Sequence, residues 1–157
     1  MRMGPNTLDK KDFFQFVSSV RRQIEAVTSS IVQISMLHYR VLDSSDFSSS
    51  SQLEDVLSQT QTKNRQVRDS IKYLEQDMRS DQVLKDMKMK HIRQLRTEFE
   101  ENLRKFENEE THFKQKYREQ IARQFRIVNP KATEDQVREA TETEWGSEGV
   151  FQTAVSV

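Results

Sequence analysis

The stretch that decides the fold is Gln52–Arg79, with the sequence QLEDVLSQTQTKNRQVRDSIKYLEQDMR. Its apolar residues recur in alternating steps of four and three, which is the heptad spacing of a helix that packs along one stripe. Two polar residues occupy the middle of this stripe, and they either fix the packing register or soften the helix there. The stripe consists of Leu53, Leu57, Thr60, Asn64, Val67, Ile71, Leu74 and Met78.

Two further long helices are predicted, over residues 9–43 before this segment and over residues 82–128 after it. Between Pro5 and Pro130 the chain has neither glycine nor proline, although a sheet protein of this length would need both in its turns. A helix with a single apolar stripe cannot bury it alone. We therefore predict an all-α fold, with an antiparallel up-down-up three-helix bundle over residues 9–129. The first stripe is Phe13, Phe16, Val20, Ile24, Val27, Ile31, Ile34, Met36, Leu37 and Val41; the last is Ile92, Leu95, Phe99, Leu103, Phe106, Phe113, Tyr117, Ile121 and Phe125.

The predicted connections are built from serine and aspartate. Residues 43–51 hold six serines around Asp46 and Phe47, and such side chains bond to nearby backbone in non-helical conformations, which predicts a loop. A phosphorylated switch in serines 48–51 is the sharper alternative, but no basic neighbour favours it. Ser80–Asp81 predicts the second break, and residues 1–8 are expected to be disordered.

Residues 130–157 form a separate acidic linker. From Thr133 onward there are six acidic residues against one arginine. Thr133 and Gln136 have the spacing of a capping box, so one or two short helices are expected here. Trp145, Val150 and Phe151 are apolar, and we expect them to dock on the basic end of the third helix, because exposed aromatic groups forgo burial.

Composition excludes several classes of protein. The 157 residues are 34% hydrophobic and 32% charged, with 25 basic and 25 acidic side chains. This neutral balance argues against a nucleic-acid-binding domain. The absence of cysteine removes disulfides and thiolate metal sites. No apolar run is long enough for a membrane span.

No pattern indicates catalysis, a metal or a cofactor. Glu109 and His112 have the Glu-x-x-His spacing of di-iron bundles, but neither His38 nor His91 has a glutamate three residues earlier. We expect all three histidines, and the paired carboxylates Glu109–Glu110, to lie on helix surfaces. Without glycine in the helical region there is neither a nucleophile elbow nor a phosphate loop.

The sequence at the end of the third helix resembles the N-terminal Habc domain of syntaxins. The residues that carry this resemblance are YREQIARQFRIV (117–128), VNPKATEDQV (128–137) and EGVFQ (148–152), together with Asp12-Phe13-Phe14 at the start of the first helix. The pattern looks most like the plasma-membrane syntaxins of fungi. It covers roughly residues 9–157 and is most specific over 113–152.

The resemblance implies a regulatory domain of a t-SNARE that acts in vesicle docking and exocytosis at the cytoplasmic face of the plasma membrane. It implies that the bundle folds back on the SNARE motif of its own chain, binds an SM-family protein and controls assembly with partner SNAREs. The SNARE motif and membrane anchor are expected to follow residue 157. The second and third helices would form the binding groove, for which our candidate residues are Thr60, Asn64, Arg65, Arg68, Lys72, Arg93 and Arg96.

Two alternatives remain open at this point. A spectrin-like three-helix spacer would typically carry tryptophan in its first and third helices, whereas the only tryptophan here, Trp145, follows the bundle. A bundle that binds a membrane surface would use the basic segment Lys85–Arg96, with five cations and one acid. A solvated helix face accounts for such a segment equally well.

Overall fold

The computed structural model describes residues 6–44 and 47–147. This part of the chain is all-helical, as predicted. It has four helices, α1 (Lys10–Ser44), α2 (Phe47–Arg79), α3 (Lys85–Val128) and α4 (Glu134–Ser147).

Short polar side chains start three of these helices. The Asp9 carboxylate accepts a hydrogen bond from the backbone N–H of Asp12 at 2.7 Å before α1. Asp81 accepts from the backbone N–H groups of Val83 and Leu84 before α3. Such bonds satisfy amide groups that have no partner within the helix itself.

The predicted capping box of α4 is confirmed. The Gln136 N–H donates to the Thr133 hydroxyl at 3.1 Å, and the Thr133 N–H donates to the Gln136 side chain at 3.0 Å. This reciprocal pair defines where the chain turns back after α3.

The predicted loop over residues 43–51 is wrong at its C-terminal part, because α2 begins at Phe47 and includes the serine run. Ser49 is buried. Serine has only a modest intrinsic penalty in a helix, and packing overrides it readily. The third helix begins at Lys85 rather than residue 82, because Asp81 holds the next residues in a capping turn.

The chain folds as two compact units, each built from parts of the three long helices. The first comprises the residues up to Ser30 and Thr60–Lys105. Within it, Arg21 pairs with Glu98 and Asn102 bonds to the Ile24 carbonyl. Residues later on α1 thus contact residues later on α3, so the two helices run parallel.

In the same unit α2 runs antiparallel to α1. The ring of Phe16 lies 4.9 Å from that of Tyr73, whereas Lys63, earlier on α2, donates to the hydroxyl of Ser30, later on α1. This up-down-up order is the one predicted. The buried apolar residues of this unit include Phe13, Val17, Val20, Ile24, Val27, Val67, Ile71, Leu74, Ile92, Leu95 and Phe99.

The second unit comprises Ile31–Gln59 and the residues from Phe106 onward. His38 on α1 contacts Glu109 on α3, and Gln120 on α3 donates to the Leu42 carbonyl. The helix α4 adds two buried side chains, Val137 and Thr141. The buried apolar residues also include Ile31, Ile34, Leu37, Leu53, Val56, Leu57, Phe106, Phe113 and Ile121.

Most of the predicted stripes are buried, with informative exceptions. Met36 is 54% exposed, so it lies outside the stripe to which it was assigned. Val17 and Val56 are buried although they were left out of the predicted stripes. Val17 lies four residues after Phe13, and Val56 lies three residues after Leu53. Both residues widen the buried face of their helix, as expected for a helix of a globular protein.

Candidate functional site

An exposed, positively charged surface lies on the side of α2 that faces α3. Glu75 on α2 forms an ion pair with Arg96 on α3, which marks this side. Three cations of α2 precede Glu75 by three, seven and ten residues, namely Lys72, Arg68 and Arg65, so they share its flank of the helix. Their side chains are exposed, and so is that of Arg93, one turn before Arg96 on α3. We call this set the cationic flank: Arg65, Arg68, Lys72, Arg93 and Arg96.

The polar stripe residues Thr60 and Asn64 do not belong to this surface. Thr60 is 0% exposed and Asn64 is 3% exposed, so the bundle encloses both side chains. The amide oxygen of Asn64 finds no hydrogen-bond partner among the described residues. An external partner reaches neither residue in this arrangement, and a role in packing register is the interpretation that fits their burial.

Lys88 is the main correction to the predicted basic segment. It is completely buried, and its ammonium group contacts Asp77 at 2.6 Å and Asp81 at 2.7 Å. It also donates to the Leu8 carbonyl at 2.8 Å, while the Leu8 N–H donates to Asp77 at 2.7 Å. We call Leu8, Asp77, Asp81 and Lys88 the Lys88 cluster; it takes one cation away from the surface of Lys85–Arg96 and fixes the chain from Leu8 onward.

Charge complementarity within the Lys88 cluster shifts two pKa values in opposite directions. Burial lowers the pKa of Lys88, but the hydrogen bonds and charges of Asp77 and Asp81 outweigh it and raise this pKa above its ordinary 10.5. The hydrogen bond from Lys88, followed by that from the Leu84 amide, holds the pKa of Asp81 below its ordinary 3.8. Both groups are therefore charged at neutral pH.

His38 is the second correction. It was expected on the surface but is 3% exposed. Its Nδ1 lies 2.8 Å from Glu109, its Nε2 lies 3.3 Å from Glu110, and its ring stacks on Phe113 with centroids 3.8 Å apart. These residues form the His38 cluster, in which Glu110 is buried rather than on the surface as expected. His112 is exposed, as expected.

The apolar register, extended through polar positions, would have found these buried groups. Lys88 lies one turn before Ile92, and His38 lies one turn after Ile34. Asn102 lies between Phe99 and Phe106 on the same stripe, where it donates to the Ile24 carbonyl at 3.0 Å. A search for apolar residues alone identifies none of these three buried polar side chains.

The linker begins by reversing along α3. Arg126 donates to Glu134 at 3.3 Å across the turn. Arg118, earlier on α3, lies beside the same pocket as Thr141, later on α4, so α4 returns antiparallel to the end of α3. Trp145 belongs to α4, whereas Val150 and Phe151 lie outside the described residues. Their docking on the third helix stays a prediction.

Neither a metal centre nor a membrane span is evident within residues 6–44 and 47–147. No group of three or more histidine, aspartate or glutamate side chains there has an arrangement suited to a metal ion. None of the helices in the same ranges has the length and apolar content needed to cross a bilayer.

Comparison with known proteins identifies a family and a similar fold. The family model described as Syntaxin matches residues 8–155. A similar solved structure is the crystal structure of the Unc18-syntaxin 1 complex from Monosiga brevicollis, with a TM-score of 0.73 and 21% identity over 96% of this chain and 74% of that one. At this identity the likeness is one of fold. No curated protein matches the sequence.

Proposed function

Because this chain belongs to the syntaxin family, we propose that it is the regulatory N-terminal domain of a plasma-membrane t-SNARE in vesicle docking and exocytosis. It controls SNARE assembly by binding the SNARE motif of its own full-length protein. The observation that carries this proposal is the family match across nearly the whole sequence.

The cationic flank supports a binding role for the surface of α2 and α3. Helix-in-groove recognition uses the trough between two helices of a bundle, and charges at its rim select the partner and speed its association. Four of the five cations have no acidic partner among the ion pairs between described residues; only Arg96 is paired, with Glu75. A SNARE motif with acidic residues beside its apolar stripe fits such a rim.

An SM-family protein is the second proposed partner. The similar structure from Monosiga brevicollis is of a complex between Unc18 and syntaxin 1, and we extend that kind of partner to this chain. Partner SNAREs of the target and vesicle membranes would compete for the same SNARE motif. The site of action would be the cytoplasmic face of the plasma membrane.

Binding of the SNARE motif to this chain tests the proposal. Titration of the 157-residue domain with that motif should give weak binding, because no tether raises the effective concentration. The double variant Arg68→Glu, Lys72→Glu should weaken it about tenfold, mainly through slower association. The matched control is Arg22→Glu on α1, an exposed cation of the same unit outside the cationic flank.

Two results would contradict the proposal. One is equal binding of the double variant and of unaltered protein, and the other is an equal loss in the Arg22→Glu control. Binding to anionic vesicles that disappears at high salt would instead favour the alternative of a membrane-surface bundle. For that alternative the exposed cations of Lys85–Arg96 remain available, without Lys88.

A further inference from the structure

The helix α1 carries a second apolar stripe, on its solvent side. Val32 is 58% exposed, Met36 is 54% exposed and Tyr39 is 71% exposed. These residues follow one another at steps of four and three, so their side chains form one line along the helix. Apolar anchors with this spacing are what one helix presents to another when the two associate.

Charged residues continue this line at both ends. Arg22 and Glu25 precede the apolar residues, and Arg40 and Asp43 include and extend the other end. All four side chains are exposed. Since α1 is one helix of 35 residues, the steps between these positions place them on the same face of it. Each end of the stripe therefore has a cation first and an acid three residues later.

An antiparallel pairing of two copies of α1 brings opposite charges together. Arg22 of one copy then lies beside Asp43 of the other, and with the same alignment Glu25 lies beside Arg40. Two-fold symmetry repeats both pairs, which gives four complementary contacts. A parallel pairing would instead bring each charged residue beside its own counterpart, where like charges repel.

The sizes of the side chains suit the same alignment. Its centre lies next to Val32, which meets its own counterpart in the other copy. Met36 then lies opposite Ser29, and Tyr39 lies opposite Ala26, so large side chains face small ones. Both small residues are exposed. Such an alternation lets two helices approach closely without leaving gaps.

We propose that this face of α1 is a homotypic contact surface, through which two copies of the domain associate as an antiparallel, two-fold symmetric pair. A strip roughly 32 Å long and 10 Å wide gives each copy a contact of roughly 300 Å², against about 800 Å² per partner in a stable complex. The pair is therefore weak, with a Kd on the order of 100 µM. It forms where copies are held at high effective concentration. The proposal uses α1 and not the cationic flank of α2 and α3, so it stands or fails separately from the proposed function.

Sedimentation velocity of the 157-residue chain, from about 10 µM to about 500 µM, tests the pairing. The sedimentation coefficient should rise with concentration toward that of a dimer. Met36→Glu should remove this rise, because it places two charges near the centre of the contact. The control is Val83→Glu, since Val83 is an apolar residue outside the stripe and is 89% exposed. This control should associate like the unaltered protein.

A charge exchange tests the antiparallel alignment. Glu25→Arg and Arg40→Glu should each weaken association about tenfold, because each change makes two symmetric contacts repulsive. The two changes in one chain should restore it, since opposite charges face each other again. A sedimentation coefficient that stays monomeric up to about 500 µM would overturn the proposal. So would association that survives Met36→Glu, or a double variant as weak as the single ones.

Discussion

The Lys88 cluster and the His38 cluster both bury ionisable groups, but they satisfy them to different degrees. The ammonium group of Lys88 has three N–H donors and three oxygen acceptors, at 2.6, 2.7 and 2.8 Å. Each ring nitrogen of His38 faces a carboxylate, at 2.8 and 3.3 Å. A neutral imidazole has only one N–H to donate, so both contacts are hydrogen bonds only in the protonated ring.

The difference shows two ways of keeping polar groups inside a helical bundle. In the Lys88 cluster every N–H donor of the ammonium group has a partner, and removal of the cation leaves two buried carboxylates without a compensating positive charge and the Leu8 carbonyl without this donor. In the His38 cluster the stacked ring of Phe113 supplies part of the stabilisation, and it does not depend on charge. The first cluster is thus more sensitive to the loss of a single group than the second.

Lys88→Met should have the largest effect, a loss of about 3–5 kcal/mol in the free energy of unfolding, because it leaves buried carboxylates uncompensated. Chemical denaturation measures this loss. Adding Asp77→Asn and Asp81→Asn to the variant should recover part of it, since the unpaired charges are then removed.

The control for this prediction is Lys90→Met, at an exposed position two residues away. It should change the free energy of unfolding by no more than about 0.5 kcal/mol. Similar losses in Lys88→Met and Lys90→Met would show that the buried contacts of the Lys88 cluster do not stabilise the bundle.

His38→Gln should have a smaller effect, about 1–3 kcal/mol, because glutamine keeps one hydrogen bond but loses the stacking on Phe113. The matched control is His112→Gln on exposed surface, where little change is expected. Denaturation of both variants in the same buffer makes the comparison. A loss equal to that of Lys88→Met would contradict the contrast drawn between the two clusters.

The smallest effect is the pH dependence contributed by Asp81. The pKa of Asp81 is lowered in the folded state. Its contribution to the free energy of unfolding is therefore present above the unfolded pKa of about 3.9 and is lost as pH falls through the lower folded pKa. The raised pKa of Lys88 has the opposite effect on the pH dependence of stability. Its contribution to the free energy of unfolding is present below pH 10.5 and is lost as pH rises through the folded pKa.

Free energies of unfolding of the unaltered protein and of Asp81→Asn, measured from pH 7 to pH 2, isolate the acid contribution. The difference between the two proteins should be constant near neutrality and should shrink below about pH 4. A difference that does not change with pH would mean that the Asp81 carboxylate has the same proton affinity in both states.

Periodicity predicted the helices because burial of one stripe dominates the energetics of a bundle. It predicted the capping box at Thr133 because that motif is local. The start of α2 at Phe47 was missed because packing overrides the weak preference of serine for loops. The burial of Lys88 and His38 was missed because the stripes were identified from apolar residues alone, and because Glu109, a partner of His38, lies 71 residues away in the sequence.

The candidate site was predicted only in part for a related reason. The resemblance to syntaxins indicated the groove between the second and third helices, and of the candidates chosen there Arg65, Arg68 and Lys72 are exposed. It could not show that Glu75 pairs with Arg96 across to α3, since that pairing depends on the register between two helices. Nor could it separate the enclosed positions Thr60 and Asn64 from the rim, because both belong to the same helical pattern.

The double hydrogen bonding of Leu8 has a mechanical consequence. Both backbone groups of this residue are bonded to buried charged side chains, just before the first turn of α1. Tension applied from the N-terminal side therefore reaches the unit at Leu8 and loads the ion pairs of α2 and α3 before it loads the hydrogen bonds of α1. Under such a force α1 cannot unravel turn by turn from its beginning until the contacts of Leu8 with Asp77 and Lys88 have ruptured.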